Sequence, residues 1–134
     1  MTPLIAEIMF GALSRVKGGS MQLIRGTTPT IEITVQTQID LHQVAEVWIY
    51  FSQQNKVKVD KKVEDVVFDY EHRKMSVTLS QEDTLALKEG DALFQIRLLL
   101  LDGTALATLA IKADIKPIYK GGVITPEEEE EVNG

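Results

Sequence analysis

Leu93-Phe-Gln-Ile-Arg-Leu-Leu-Leu-Leu101, then Asp102-Gly103, then Thr104-Ala-Leu-Ala-Thr-Leu-Ala-Ile111 is the stretch that decides the fold. Two apolar, strand-like runs flank an Asp-Gly pair, the strongest short-range signal for a two-residue hairpin, because both central positions of that turn need positive φ. The pair predicts an antiparallel β protein that packs one sheet face on a core. Leu98–Leu101 is apolar on both faces, so this strand is expected to be central, or covered by a helix or a second subunit.

Outward from the hairpin, the alternation continues with a period of two. Ile31, Ile33 and Val35 alternate with Glu32, Thr34 and Gln36 after the lead-in Gly26-Thr-Thr-Pro29. Ala45, Val47, Ile49 and Phe51 alternate with Glu46, Trp48, Tyr50 and Ser52, and Gln54-Asn55 reads as a turn into Lys56–Val63. There Val57 and Val59 alternate with Lys56, Lys58 and Asp60, a lysine-rich pattern typical of a protected sheet edge. Val66–Phe68 pairs with Met75–Leu79 across Asp69–Lys74. Ser80-Gln-Glu-Asp83 has the form of a capping box and predicts one short helical turn crossing from one sheet to the other, ended by Gly90. About seven short strands with regular turn signals predict an all-β, immunoglobulin-like antiparallel β-sandwich over residues 21–118.

The ends read differently. Residues 2–16 carry Ile5, Ile8, Met9, Ala12, Leu13 and Val16 at helical spacing, with Thr2 and Pro3 at the start and Gly18-Gly19 at the stop. One reading of residues 1–20 is an extra amphipathic helix on a Gly-Gly-Ser hinge. The other makes Met21 the natural start, with Lys17-Gly18-Gly19 a translated ribosome-binding site. Residues 119–134 form an acidic tail expected to be disordered.

The chain has 134 residues, 44% hydrophobic and 25% charged, which is enough for one self-sufficient core. It has no cysteine, so disulfides and thiolate metal sites are ruled out. The net charge of −6 is concentrated in Glu127–Glu131; without that run acids and bases nearly balance. The run reads as a solubilising tail or as a weak site for cations or a basic partner. No basic footprint for nucleic acid is present, and no apolar run approaches the roughly 20 residues of a membrane span. Leu4–Leu13 is apolar, but Arg15 and Lys17 follow it, the wrong order for a signal peptide, so the chain is not expected to be secreted by one.

Chemistry-bearing residues do not assemble in the sequence. His42 and His72 stand alone in polar loops and read as solvated. Glu64-Asp65 would point to opposite faces of a strand, and Glu82-Asp83 is explained by helix capping. No catalytic, cofactor-binding or metal-binding residue is assigned, and the chain is expected not to be an enzyme. One feature remains: with Val47, Ile49 and Phe51 inward, Trp48 and Tyr50 face outward, as aromatics of an interaction surface or as rings covered by a neighbouring element.

Four stretches carry a family likeness: Arg25-Gly-Thr-Thr-Pro-Thr30, Leu79-Ser-Gln-Glu-Asp-Thr84, Arg97-Leu-Leu-Leu-Leu-Asp-Gly-Thr-Ala105 and Lys120-Gly-Gly-Val-Ile124. Over Met21–Ile124 the chain resembles a family of small proteins from phages and prophages of Gram-positive bacteria, described as hypothetical or phage structural proteins. The resemblance implies a minor structural or tail-assembly component acting by protein–protein contact, with itself or with other phage structural proteins, in the bacterial host cytoplasm or the virion. A homo-oligomer is compatible with it. A small ligand- or carbohydrate-binding sandwich using Trp48 and Tyr50 as a stacking platform is the alternative.

Overall fold

The alternating segments become strands, in chain order β1 (Leu4–Ile8), β2 (Arg15–Val16), β3 (Met21–Ile24), β4 (Thr30–Val35), β5 (Val44–Gln53), β6 (Lys56–Lys62), β7 (Val66–Asp69) and β8 (Lys74–Thr78). A short helix α1 (Gln81–Ala86) follows, then β9 (Gly90–Leu100), β10 (Ala105–Ala107) and β11 (Ile111–Lys116). The structure, a computed structural model, describes residues 4–8, 15–16, 21–35, 39–108 and 110–126. The first sheet runs β2-β1-β4-β8-β7 and the second β3-β11-β9-β5-β6, with β10 also paired to β9.

One core cluster takes side chains from both sheets: Ile31, Ile33, Met75 and Val77 from the first, Met21, Val47, Ile49, Phe51, Phe94, Ile96 and Ala113 from the second. The chain is therefore an all-β, two-sheet sandwich. Phe51 and Phe94 are register partners across β5 and β9, with ring centroids 4.9 Å apart and fully buried. Burying each such ring contributes about 1.5–3 kcal/mol.

The central position predicted for Leu98–Leu101 is observed: β9 pairs β5 on one edge and β10 and β11 on the other. Among the described residues of this chain no element covers its outer face, and Leu99 and Leu101 are exposed. The Asp102-Gly103 turn also differs from the two-residue expectation. Leu101, Asp102 and Gly103 make a three-residue loop, closed by Gly103 N–H to Leu100 O (2.9 Å) and Leu100 N–H to Thr104 O (2.8 Å). Only Gly103 takes positive φ (+91°), while the Asp102 carboxylate accepts from Thr104 N–H. This is the type I turn with a glycine bulge that also uses an Asp-Gly signal. The two-residue geometry appears instead at Gln54 (φ 51°) and Asn55 (φ 63°), between the register partners Gln53 and Lys56.

The antiparallel, seven-strand expectation is corrected in two respects. Among the described residues, nine strands fall within 21–118 and two more precede them, and two pairs are parallel, β1 with β4 and β3 with β11. Alternation has the same period in either direction, so it carries no information on pairing sense. The helix expected over residues 2–16 is also corrected: Leu4–Ile8 pairs residue for residue with Ile31–Val35, and Arg15–Val16 pairs back onto β1. Short apolar runs rich in Ile satisfy both periods, and sheet pairing decides between them. Residues 1–3, 9–14 and 17–20, with the expected Thr2–Pro3 cap and Gly-Gly hinge, lie outside the described residues, as does the Glu127–Glu131 run.

At the β6 edge, Val59 is buried but Val57 is 57% exposed. A register shift at Phe51/Ser52 inserts Lys58 as an extra residue and turns Val57 outward. Glu64-Asp65, expected on a strand, sits in a 3₁₀ turn (Val63–Asp65), where the Asp65 carboxylate accepts from Lys62 N–H.

Three of the four family-like stretches converge on α1, which links β8 in one sheet to β9 in the other as expected. Ser80 and Asp83 form the reciprocal capping box (Ser80 N–H to Asp83 carboxylate 2.8 Å, Asp83 N–H to Ser80 Oγ 3.0 Å). Arg25 donates to the carbonyls of Leu87 (2.7 Å) and Leu85 (3.1 Å), and Thr84 Oγ1 donates to Thr27 O. Gln81 holds the chain after Lys120 through two bonds to the Ile124 backbone. Gly26 turns there with φ +77°, and a Cβ at that position would meet Ile118 Cδ1 at 3.0 Å. These stretches make one end of the sandwich.

Candidate functional site

The fourth family-like stretch, Arg97–Ala105, makes a surface. On β5 the pleat buries Val47, Ile49 and Phe51 and turns Glu46, Trp48 and Tyr50 to the outer face, in agreement with the sequence reading. Across the seam, Trp48 pairs with Arg97, Glu46 with Leu99 and Tyr50 with Gln95. A groove of about 270 Å³ opens along this seam, lined by Glu46, Trp48, Arg97, Leu98, Leu99 and Ala105. Trp48 remains 44% exposed and Leu99 40% exposed.

Electrostatics order the groove. The Arg97 guanidinium lies 4.9 Å from the centroid of the Trp48 ring. Such contact contributes about 0.5–1 kcal/mol at an exposed site and fixes both side chains. Tyr50 donates its hydroxyl to Gln95 Oε1, and Gln95 Nε2 donates to Thr108 O (2.7 Å), so Tyr50 is half-buried and anchored. Trp48 and Tyr50 are therefore not an equivalent pair of open rings: one indole face is taken by a cation and the phenol is tied down. Among the described residues, neither Glu46 nor Arg97 has an ion-pair partner.

Trp48 and Tyr50 were legible from alternation, whereas Glu46, Arg97 and Leu99 were missed as their neighbours. The signal was the lone charge Arg97 inside the apolar run Leu93–Leu101, but it points to Trp48 only once the β5–β9 register is known.

The two histidines are exposed, each beside a carboxylate. His42 N–H and Nδ1 contact the Asp40 carboxylate (3.0 and 3.1 Å), and His72 Nδ1 contacts Asp69 at 2.9 Å. The His42 N–H and imidazole hold Asp40 below its ordinary value, and the His72 side chain does so for Asp69. His42 also stacks on Tyr70 (4.2 Å between centroids), which stacks on Phe68 (5.6 Å), so this column ties the turn before β5 to the turn after β7. Asp83 behaves differently. Partial burial pushes its carboxyl up, but the Lys61 ammonium at 2.7 Å and the Ser80 hydrogen bonds outweigh burial and hold it below the usual carboxylate value. Glu82 and Asp83 lie in the first turn of α1, with Asp83 in the capping role expected from the sequence.

The fold defines a two-sheet, all-β sandwich. Its similarity is to a solved structure, the N-terminal domain of phage TP901-1 ORF48, with a TM-score of 0.59 and 13% identity over 87% of this chain and 99% of that one. No family model matches the sequence, and none of the curated proteins matches it.

Proposed function

We propose that this chain is a non-enzymatic protein–protein interaction module, a minor structural or tail-assembly component of a phage or prophage. The observation that carries the reading is the ordered Trp48–Arg97 pair at the mouth of an apolar groove on a rigid sheet face. Tryptophan and arginine are the residue types most enriched at interface hot spots, and a groove that already holds their rotamers lowers the ordering cost of binding. The shared fold with a phage protein domain supports the setting. The alternative, sugar stacking, needs open aromatic faces, and the guanidinium over Trp48 and the tie on Tyr50 do not favour it.

The test is mass spectrometry of particles purified from the phage or induced prophage that encodes the chain. Peptides of this chain are expected in stoichiometric, reproducible amounts through successive density gradients. Their absence from pure particles would contradict the proposal.

A further inference from the structure

Resting on the reading of the Trp48–Arg97 groove as a contact surface, we infer that its occupant is a second copy of this chain, packed face to face about a two-fold axis. The argument is charge complementarity within the patch itself. On the outer face the residues Glu46, Trp48, Arg97 and Leu99 occupy the corners of one cross-strand quadrilateral, with Glu46 opposite Leu99 and Trp48 opposite Arg97. Glu46 and Arg97 are therefore diagonal neighbours, with backbones roughly 7–8 Å apart. Each is left without an ion-pair partner among the described residues.

An interface between identical copies requires a patch that complements its own image. A two-fold axis parallel to the sheet and midway between Glu46 and Arg97 exchanges those two positions. Arg97 of one copy then faces Glu46 of the other, twice. Trp48 and Leu99 lie on the opposite diagonal, close to that axis, so each meets its own symmetry mate. Two reciprocal ion pairs thus flank an apolar centre. The arrangement matches the common interface plan of a dry core with charged surroundings. Exposed Leu101 lies in the turn that follows β9, two residues beyond Leu99.

Trp48 is the only tryptophan of the chain, so its emission reports the interface directly. Sedimentation velocity and intrinsic fluorescence are measured together across a dilution series of the whole chain. The expected result is a monomer–dimer equilibrium with a blue shift of the Trp48 emission that follows the dimer fraction. Glu46→Arg and Arg97→Glu are each expected to weaken dimerisation at least about tenfold, through two like-charge contacts per dimer. An equimolar mixture of the two variants is expected to restore dimers, because the two arginines of one variant then face the two glutamates of the other. A wild-type chain that stays monomeric throughout overturns the inference, as does a dimer unaffected by either variant or a mixture that fails to associate. Because the wild-type fluorescence needs no substitution, the outcome does not depend on the variants folding. A monomeric chain that still enters particles through Trp48 would leave the protein-contact reading intact and remove only the second copy.

Discussion

Thr108 shows how one side chain can hold an interrupted strand in place. It is buried, its N–H donates to Ile96 O (2.9 Å), and its Oγ1 accepts from Ile96 N–H (3.1 Å), where β9 passes from β10 to β11. Thr108→Val keeps the shape but leaves the Ile96 N–H without an acceptor. An orphaned buried donor costs about 1–3 kcal/mol, so urea unfolding is expected to show a loss of that size with an unchanged m-value. The Lys61–Asp83 pair makes a pH-dependent prediction. Asp83 titrates below its ordinary value of 3.8 in the folded chain, so its contribution is full above that value and disappears as the pH falls through the lowered one. Lys61→Met is therefore expected to destabilise by about 1–2 kcal/mol near pH 7 and by progressively less as the pH falls through the lowered value and Asp83 becomes protonated. An equal deficit across that range would show that packing, not charge, is what Lys61 supplies.

At the scale of elements, the alternation of β4, β5 and β8 was legible, since Ile31, Val47 and Met75 sit where the period-two pattern puts them. The capping box of α1 was legible for a similar reason: it is local chemistry. What local sequence could not carry was pairing. Strand direction, the bulge that exposes Val57 and the recruitment of Leu4–Ile8 into a sheet all depend on partners distant in the chain. The surface was half legible on the same grounds, with Trp48 given by alternation and Arg97 by register. Two predictions belong here. The Gln54-Asn55 turn holds two non-glycine residues at positive φ, the positions that Asn-Gly fills best. Replacing them together by Asn and Gly is expected to stabilise the fold by about 0.5–1 kcal/mol in thermal or urea unfolding. Arg25→Ala removes both guanidinium bonds to the carbonyls of Leu85 and Leu87, and is expected to cost about 1.5–3 kcal/mol. Hydrogen exchange of the amides around α1 should accelerate more than that of β5 in this variant, because the lost bonds are local to that end.

For the whole molecule, two regions are distinct. The family-like stretches around α1 close one end of the sandwich, while the stretch Arg97–Ala105 contributes the outer groove beside Trp48. The residues that hold that end of the sandwich are not those of the groove, so a change at the groove should leave the fold intact. Trp48→Ala gives up an exposed ring and one cation–π contact, so its thermal midpoint is expected to stay within a few degrees of wild type. The decisive measurement is the amount of the Trp48→Ala chain, relative to wild type, in purified particles assembled with each. A folded variant missing from the particles is the predicted result; incorporation at the wild-type level would contradict the groove as the contact surface.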